Sequence, residues 1–353
     1  MKKRPKNSIV FFLILAAVFV ILTGCPGPDD PEDDPDPIDY TDGDSFETEE
    51  IEGELTITGF IGSEIDIAIP PSIGGVPVTA IGDNAFSDKT SLKSVIIPDS
   101  VETLGAMCFA YCAALESIEI PDSVTAIGGG AFYQSGLIHA AIPDSISAIP
   151  ESLFDQCQFL VSVTIPNSVE SIGSFAFGTC TALEAITIPG SVKTIGDAVL
   201  SYCNSLEDVV IPDSVETMGT NMFQACEFLT SVTLSSKLTS IPQETFNGCS
   251  RLTSVTIPDS VTVIGISAFF NCRGFTSFTI PSQITDIGSG AFRQCSYLES
   301  VTVNPQTPPG LGEDVFGSNA TGRKFYVPLG RGNTYKGAAG WSSYEADIEE
   351  QSP

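Results

Sequence analysis

Cysteine is the residue of this chain best placed to do chemistry, and eight of its ten cysteines keep one beat: 112, 157, 180, 203, 226, 249, 272 and 295. A thiol can form a disulfide, ligate a metal or act as a nucleophile. Neighbour pairing of the run from Cys157 to Cys295 leaves one member over. Cys112 has no adjacent partner, because Ser135 interrupts the column, so no fixed set of disulfides uses them all. Metal sites want clustered ligands of the C-x2-C kind, and ligands 23 residues apart do not supply them. The spacing favours reduced, buried thiols that pack as small hydrophobes. Cys108 falls in a column otherwise held by Ala85, Ala131, Ala176, Ala268 and Ala291, and reads as core for the same reason.

The other chemistry-bearing residues are sparse. His139 is the only histidine, it sits beside Ala140 and Ala141, and no G-x-S-x-G elbow accompanies it, so a catalytic triad has no foundation. A glycan-active enzyme would need paired carboxylates in one groove, whereas the acids are scattered and few rings look free to stack sugars. Asp36, Asp39, Asp42 and Asp44 lie close together but lack the alternate spacing and closing Glu of a calcium loop. Catalysis, a metal and a cofactor are therefore not expected. With 44 acids against 15 bases and a formal charge of −29, attraction to nucleic acid has no visible source either.

Cys25 is a different kind of site. Lys2, Lys3, Arg4 and Lys6 precede the apolar run Ile9 to Leu22, too short to span a bilayer as a helix, and the stretch ends in "LTGC". That ending looks like a bacterial lipobox, in which the Cys sulfur receives a diacylglycerol and cleavage makes Cys25 the new N-terminus. Several acyl chains would make such an attachment durable. Residues 1–24 are thus read as a lipoprotein signal peptide, and residues 25–50 as the lipidated Cys followed by an acidic, Pro-rich disordered tether. Residues 26–50 carry twelve acids, five prolines and no Lys or Arg, too little apolar surface to offset ordering entropy. The expected location is exported, lipid-anchored to a bacterial membrane and exposed at the cell surface, with the membrane touched through the N-terminal lipid only.

What positions everything downstream is a repeat. Prolines at 70, 98, 121, 143, 166, 189, 212, 258, 281 and 305 mark its register, mostly 23 residues apart, with Ser235 standing in once. The pattern is L-x-S-V-x-I-P-x-S-V-x-x-I-G-x-x-A-F-x-x-C. "LTSVTIP" (Leu252 to Pro258) alternates like a strand, with Val255 and Ile257 on one face. Proline after the strand has no N–H, so an inter-coil ladder must stop there. The Phe column, from Phe86 to Phe316 with Leu200 as its one substitute, must point inward, since a row of exposed rings would form a large apolar patch. Gly follows Ile in most repeats, but Pro150 and Pro242 share that column; proline cannot take a positive φ, so the glycines read as close packing or a loose turn.

The strand L-x-x-V-x-I and the period fit the leucine-rich-repeat class, and "IPDSVTVIGISAFFNC" resembles its BspA-like, treponemal type, over about residues 55 to 340. "LTITGFIGSEIDIAIPPSIGGVPVTAIGDNAF" is similar to that family's opening half-repeat and "FYVPLGRGNTYKGAAGW" to its closing segment. The resemblance implies a right-handed solenoid with one β-strand per 23-residue coil, ten to eleven repeats and little helix. It implies an N-terminal cap and first repeat over 51–97, the solenoid proper over 98–304, and a last partial repeat and C-terminal cap over 305–345; the residues beyond, 346–353, read as an acidic tail. Family members are typically cell-surface or secreted, and some are adhesins; no functional residue motif comes with them.

A binding face follows from the alternation. If Val and Ile face inward, the outward positions include Thr164, Thr187, Thr233, Thr256, Thr279 and Thr302 in one column and Ser162, Ser231, Ser254 and Ser277 in the next. Strand propensity and solubility account for the same letters, while the sharper reading is that this strip receives a partner. Glu116, Glu119, Glu184, Glu207, Asp208 and Glu299 flank it, so a basic partner segment would be steered there. The leading expectation is an adhesin-like surface protein binding protein or glycan ligands on host or neighbouring cells. The alternatives are a passive structural coat or spacer, and a glycan-active enzyme.

Overall fold

A computed structural model describes residues 38–352. The expected signal peptide, Cys25 and the first part of the expected tether lie outside the described residues. From Asp39 onward the chain is one β-solenoid of about 13 turns of about 23 residues, with almost no helix. The expected repeat architecture is therefore present. Thirteen inward side chains of the first strand position, from Ile67 through Val95, Val163, Val232 and Val301 to Ile348, stand on successive coils.

Each coil contributes a second strand besides the expected one. The first strand, such as Ser231–Thr233 or Ser277–Ile280, pairs in parallel with its neighbours. The second is only two residues long, as at Ser171–Ile172, Thr194–Ile195 and Thr217–Met218, and stacks into a separate parallel sheet. Between the two lies the I-P-x-S-V corner, where Val192 N–H donates to the Pro189 carbonyl and the equivalent bond closes almost every coil. The Ser of the motif ties this corner to the coil before: Ser123 Oγ donates to Val101 O, Ser168 Oγ to Ile146 O and Ser191 Oγ to Val169 O. Where Lys237 occupies the Ser column, Ser235, in the place of proline, donates to Val215 O instead. Its appearance there preserves a bond rather than merely tolerating a change.

The G-x-x-A-F-x-x-C stretch forms the third wall. Alternate N–H groups point to the next coil: Asn84 to Ala106 O, Phe86 to Cys108 O and Asp88 to Ala110 O, at 2.8–2.9 Å. This ladder needs a left-handed residue at two positions per coil, four residues apart. Asn84, Met107, Ser152, Phe175, Ala198, Asn221, Glu244 and Ser267 hold the first, with φ of 51–58° or 59° at Asn221. Tyr111, Gln134, Thr179 and Tyr202 are among those holding the second. Glycine fills either position only occasionally, at Gly130, Gly248 and Gly290.

The Gly column after Ile is not left-handed, in line with Pro150 and Pro242. Close approach explains it: Gly105 N–H donates to Ile81 O at 2.7 Å, and a Cβ there would lie 2.5 Å from Asp83 N. The Phe column fills the interior, with neighbouring rings parallel within 15° and centroids 5.0–5.8 Å apart from Phe86 to Phe177. Leu200 interrupts the stack, which resumes from Phe223 to Phe316. Burying each ring is worth roughly 1.5–3 kcal/mol.

Both ends differ from the expected boundaries. Residues 46–50 belong to β1 (Phe46–Ile51), which pairs antiparallel with β2 (Glu54–Phe60) and buries Phe46 against Phe60 and Phe86. Thr41 already docks on Ala68 through two hydrogen bonds, and Asp42 Oδ1 accepts from Asp44 N–H at a short turn, so these residues are cap and not disordered tether. Acidic composition hid the one apolar anchor, Phe46. At the other end, Ile348–Glu350 is a strand paired with Lys324–Val327, not a tail. Glu350 accepts from Gly330 and Gly332 N–H, which holds its carboxyl below the usual carboxylate range. Trp341 and Tyr335 close the core, donating to Pro309 O and Pro305 O.

Candidate functional face

The outward side of the first sheet gathers the candidate residues rung by rung. Thr164 stands opposite Ala141, Thr233 opposite Val210, and Thr279 opposite Thr302, which continues onto Tyr326. Ser162 is opposite His139, Ser231 lies between Asp208 and Ser254, and Ser277 is opposite Ser300. Thr164, Thr187, Thr233, Thr256 and Thr279 are exposed, while Thr302 and Ser162 are half-buried. Thr187 and Thr256 lie just outside the hydrogen-bonded strands. A shallow groove of about 430 Å³ runs along this face between Ser254, Thr256, Ser277, Thr279 and Asn304.

Two polar contacts break the strip's neutrality. His139 Nδ1 and Ser162 Oγ are 2.8 Å apart, and Ser231 Oγ donates to Asp208. The rung beyond Ser162 carries Ala185, so the histidine–serine contact sits on an open strand face with no carboxylate set across from the serine. The cap strand adds Lys324 and Tyr326 to the columns, with Lys324 paired to Glu349 at 3.0 Å. These were missed because the closing segment departs from the repeat pattern.

A row of exposed rings borders the same face. Phe159, Phe228 and Tyr297, 64%, 41% and 65% exposed, occupy the column just before the buried Leu that leads into the strand. They stand at intervals of three coils; the expectation of few free rings is corrected on this edge. Reading that column alone (Ala182, Ser205, Arg251 and Gly274 elsewhere) would have shown the interval. Phe228 lines a depression of about 600 Å³ with Glu184, Glu207, Asp208, Ala185 and Ser205. The Arg251 guanidinium lies 4.0 Å from the Phe228 ring centroid.

The cysteine column faces inward. All nine cysteines of the described residues are free and buried. The eight columnar thiols each donate to a carbonyl one coil back, as Cys112 to Phe86 O, Cys226 to Leu200 O and Cys249 to Phe223 O, at 3.0–3.2 Å. Burial pushes Cys112, Cys226 and Cys295 up to about 12, so none offers a thiolate near neutrality. The column is a set of weak donors inside the core.

Comparison with known proteins agrees with this architecture. A leucine-rich repeat protein from Bacteroides ovatus is 23% identical, covers 89% of this chain and 100% of its own, and superposes with a TM-score of 0.52, which shows the fold. A leucine rich cell surface protein from Faecalibacterium prausnitzii is 27% identical, covering 76% of this chain and 95% of its own at a TM-score of 0.37. The leucine rich repeat protein of T. pallidum is 26% identical, covering 67% and 90%, also at 0.37. None of the curated proteins compared with the chain matches it. Six copies of the BspA type leucine rich repeat region match over residues 79–207, 149–272 and 193–322, and with its Phe, Cys and I-P-x-S-V columns all accounted for, the chain belongs to that family.

Proposed function

We propose that this protein is an adhesin-like binding protein of the bacterial surface, tethered by lipid at Cys25, which recognises macromolecules on host or neighbouring cells through the outward face of its first sheet. The observation that carries the reading is the exposed column of Thr164, Thr233 and Thr279 beside its serine column, with a shallow groove where Thr256 and Thr279 stand beside Ser254 and Ser277. Repeating hydroxyls on a parallel strand face offer donors and acceptors along a line, which suits an extended partner better than a small molecule. The family's typical place at the cell surface supports the location, and the "LTGC" ending supports the anchor.

The test is binding of the full chain to immobilised matrix proteins and glycans, beside a variant carrying Thr187→Lys, Thr233→Lys, Thr256→Lys and Thr279→Lys. Saturable, salt-sensitive binding that weakens at least about tenfold in the variant is expected. Binding to none of them replaces this reading with a passive coat, and binding that the variant leaves intact takes the site off the threonine face. Labelled palmitate should enter the parent and not Cys25→Ser; equal labelling removes the anchor.

A further inference from the structure

The ring ridge beside the sheet carries a partner preference of its own, which rests on the surface-binding reading above. Phe159, Phe228 and Tyr297 are separated by three coils each. Stacked parallel strands lie about 4.7–4.9 Å apart, so the rings repeat at about 14 Å along the solenoid. An extended polypeptide rises about 3.3–3.4 Å per residue and presents alternate side chains to one side, so its every fourth residue returns to the same side after about 13–14 Å. The two periods agree. A strand laid along the ridge therefore places residues i, i+4 and i+8 on the three rings.

What lies between the rings differs in the two intervals. The two coils between Phe159 and Phe228 carry Glu184, Glu207 and Asp208, which line the depression beside Phe228. The two coils between Phe228 and Tyr297 carry Arg251 in the ring column and Arg273 one residue before it. A residue at i+2, which faces the same way as i and i+4, meets carboxylates in the first interval, while the residue at i+6 meets guanidinium groups in the second. Arg251 already rests on the Phe228 ring, an intramolecular example of a cation received at this edge.

We infer that this ridge docks an extended cationic peptide segment bearing apolar side chains at every fourth residue, with a Lys or Arg midway between the first two. The rings supply the anchors, Glu184, Glu207 and Asp208 supply charge complementarity, and the adjacent sheet face supplies the floor.

The test uses a labelled eleven-residue peptide with Phe at positions 2, 6 and 10 and Lys at position 4, titrated into the full chain by fluorescence anisotropy. Controls are a peptide of the same composition with its three Phe adjacent, and one with Glu at position 4. The expected result is at least about tenfold tighter binding of the spaced peptide than of either control. A variant with Phe159→Ser, Phe228→Ser and Tyr297→Ser should lose that advantage, while one with Glu184→Gln, Glu207→Gln and Asp208→Asn should lose most of its salt dependence. Unchanged melting of both confirms that exposed positions, and not the core, were altered. Equal binding of spaced and adjacent peptides, or full binding by the serine variant, overturns the inference. So does a neutral polysaccharide whose binding needs the rings, which would assign them to glycan. If the peptide shows no preference while matrix binding persists and needs the threonines, only this inference falls. If matrix binding needs the rings and ignores the threonines, the sheet reading falls and the ridge stands.

Discussion

At the scale of single residues, two columns that look like composition are hydrogen-bond devices. A cysteine in this core is small and apolar, and its S–H also reaches the Phe carbonyl one coil back, as Cys249 does at Phe223 O. Alanine would keep the volume nearly right and lose the donor, so Cys249→Ala should cost about 1–3 kcal/mol, read as a lower urea midpoint. The thiols also set a pH dependence. Cys226, Cys157 and Cys295 rise from an ordinary value of 9.0 to about 12 through burial. The unfolded chain gives up these protons first, so their contribution is whole below pH 9 and is lost as pH climbs toward 12. Each thiol takes away about 1.4 kcal/mol per pH unit in that window. Melting followed from pH 8 to 11 should fall steeply above 9, and less steeply in Cys226→Ala; a flat profile would show that the thiols are not held protonated. The corner serines make a sharper comparison. Ser191 Oγ donates to Val169 O at 2.6 Å, whereas Ser214 Oγ, buried in the equivalent corner, has no partner. Ser191→Ala should therefore cost about 1–2 kcal/mol and Ser214→Ala close to none, in side-by-side urea titrations.

At the scale of the element, the third wall stores strain that the strands do not. Its stacked turns require left-handed residues at two places per coil, and L-residues other than Gly and Asn adopt that region at a cost of about 1 kcal/mol. Phe175, φ 57° and 46% exposed, has little packing to lose, so Phe175→Gly should raise the melting temperature, by an amount equivalent to about 0.5–1 kcal/mol. Two positions earlier in a coil, glycine is already present and is needed for close approach rather than for a positive φ. Gly219 is not left-handed, and a Cβ on it would sit 2.5 Å from Asp197 N, backbone that cannot step aside without breaking the Gly219 N–H to Ile195 O bond. Gly219→Ala should destabilise by about 1–3 kcal/mol. Should both substitutions prove neutral, the turn stack is looser than its hydrogen bonds imply.

At the scale of the whole molecule, each coil touches its neighbours before and after, so length is adjustable in units of one period. Removing residues 190–212 joins Pro189 to Asp213 in register and deletes one 23-residue coil. The shortened protein should fold, with strand circular dichroism and a cooperative melt, because Ile186, a side chain of the same column, would take the place of Val209 as the neighbour of Val232. Deleting half of that stretch should abolish folding, since every inward column would meet the wrong one. The caps do not share this freedom. Phe46 at one end and Trp341 with Tyr335 at the other cover rings that would otherwise face water, and each is buried by contacts made once in the chain.

Period, register, the inward Phe and Cys columns and the outward Thr and Ser columns were legible from the letters, because each repeats and a β period of two assigns sides without reference to anything distant. The same logic predicted that the Gly column would not be left-handed, since Pro150 and Pro242 share it. Tertiary structure alone decided where the left-handed residues sit, because the neighbouring coils impose that conformation on Phe175, Tyr202 and Glu244, whose own preferences argue against it. It alone turned Phe46–Ile51 and Ile348–Glu350 from charged flanks into cap strands, each anchored by a single apolar side chain that no pattern can reveal. And it alone set Phe159, Phe228 and Tyr297 on one exposed edge beside the carboxylates of Glu184 and Glu207, since exposure is a property of what the fold leaves uncovered and not of the residue.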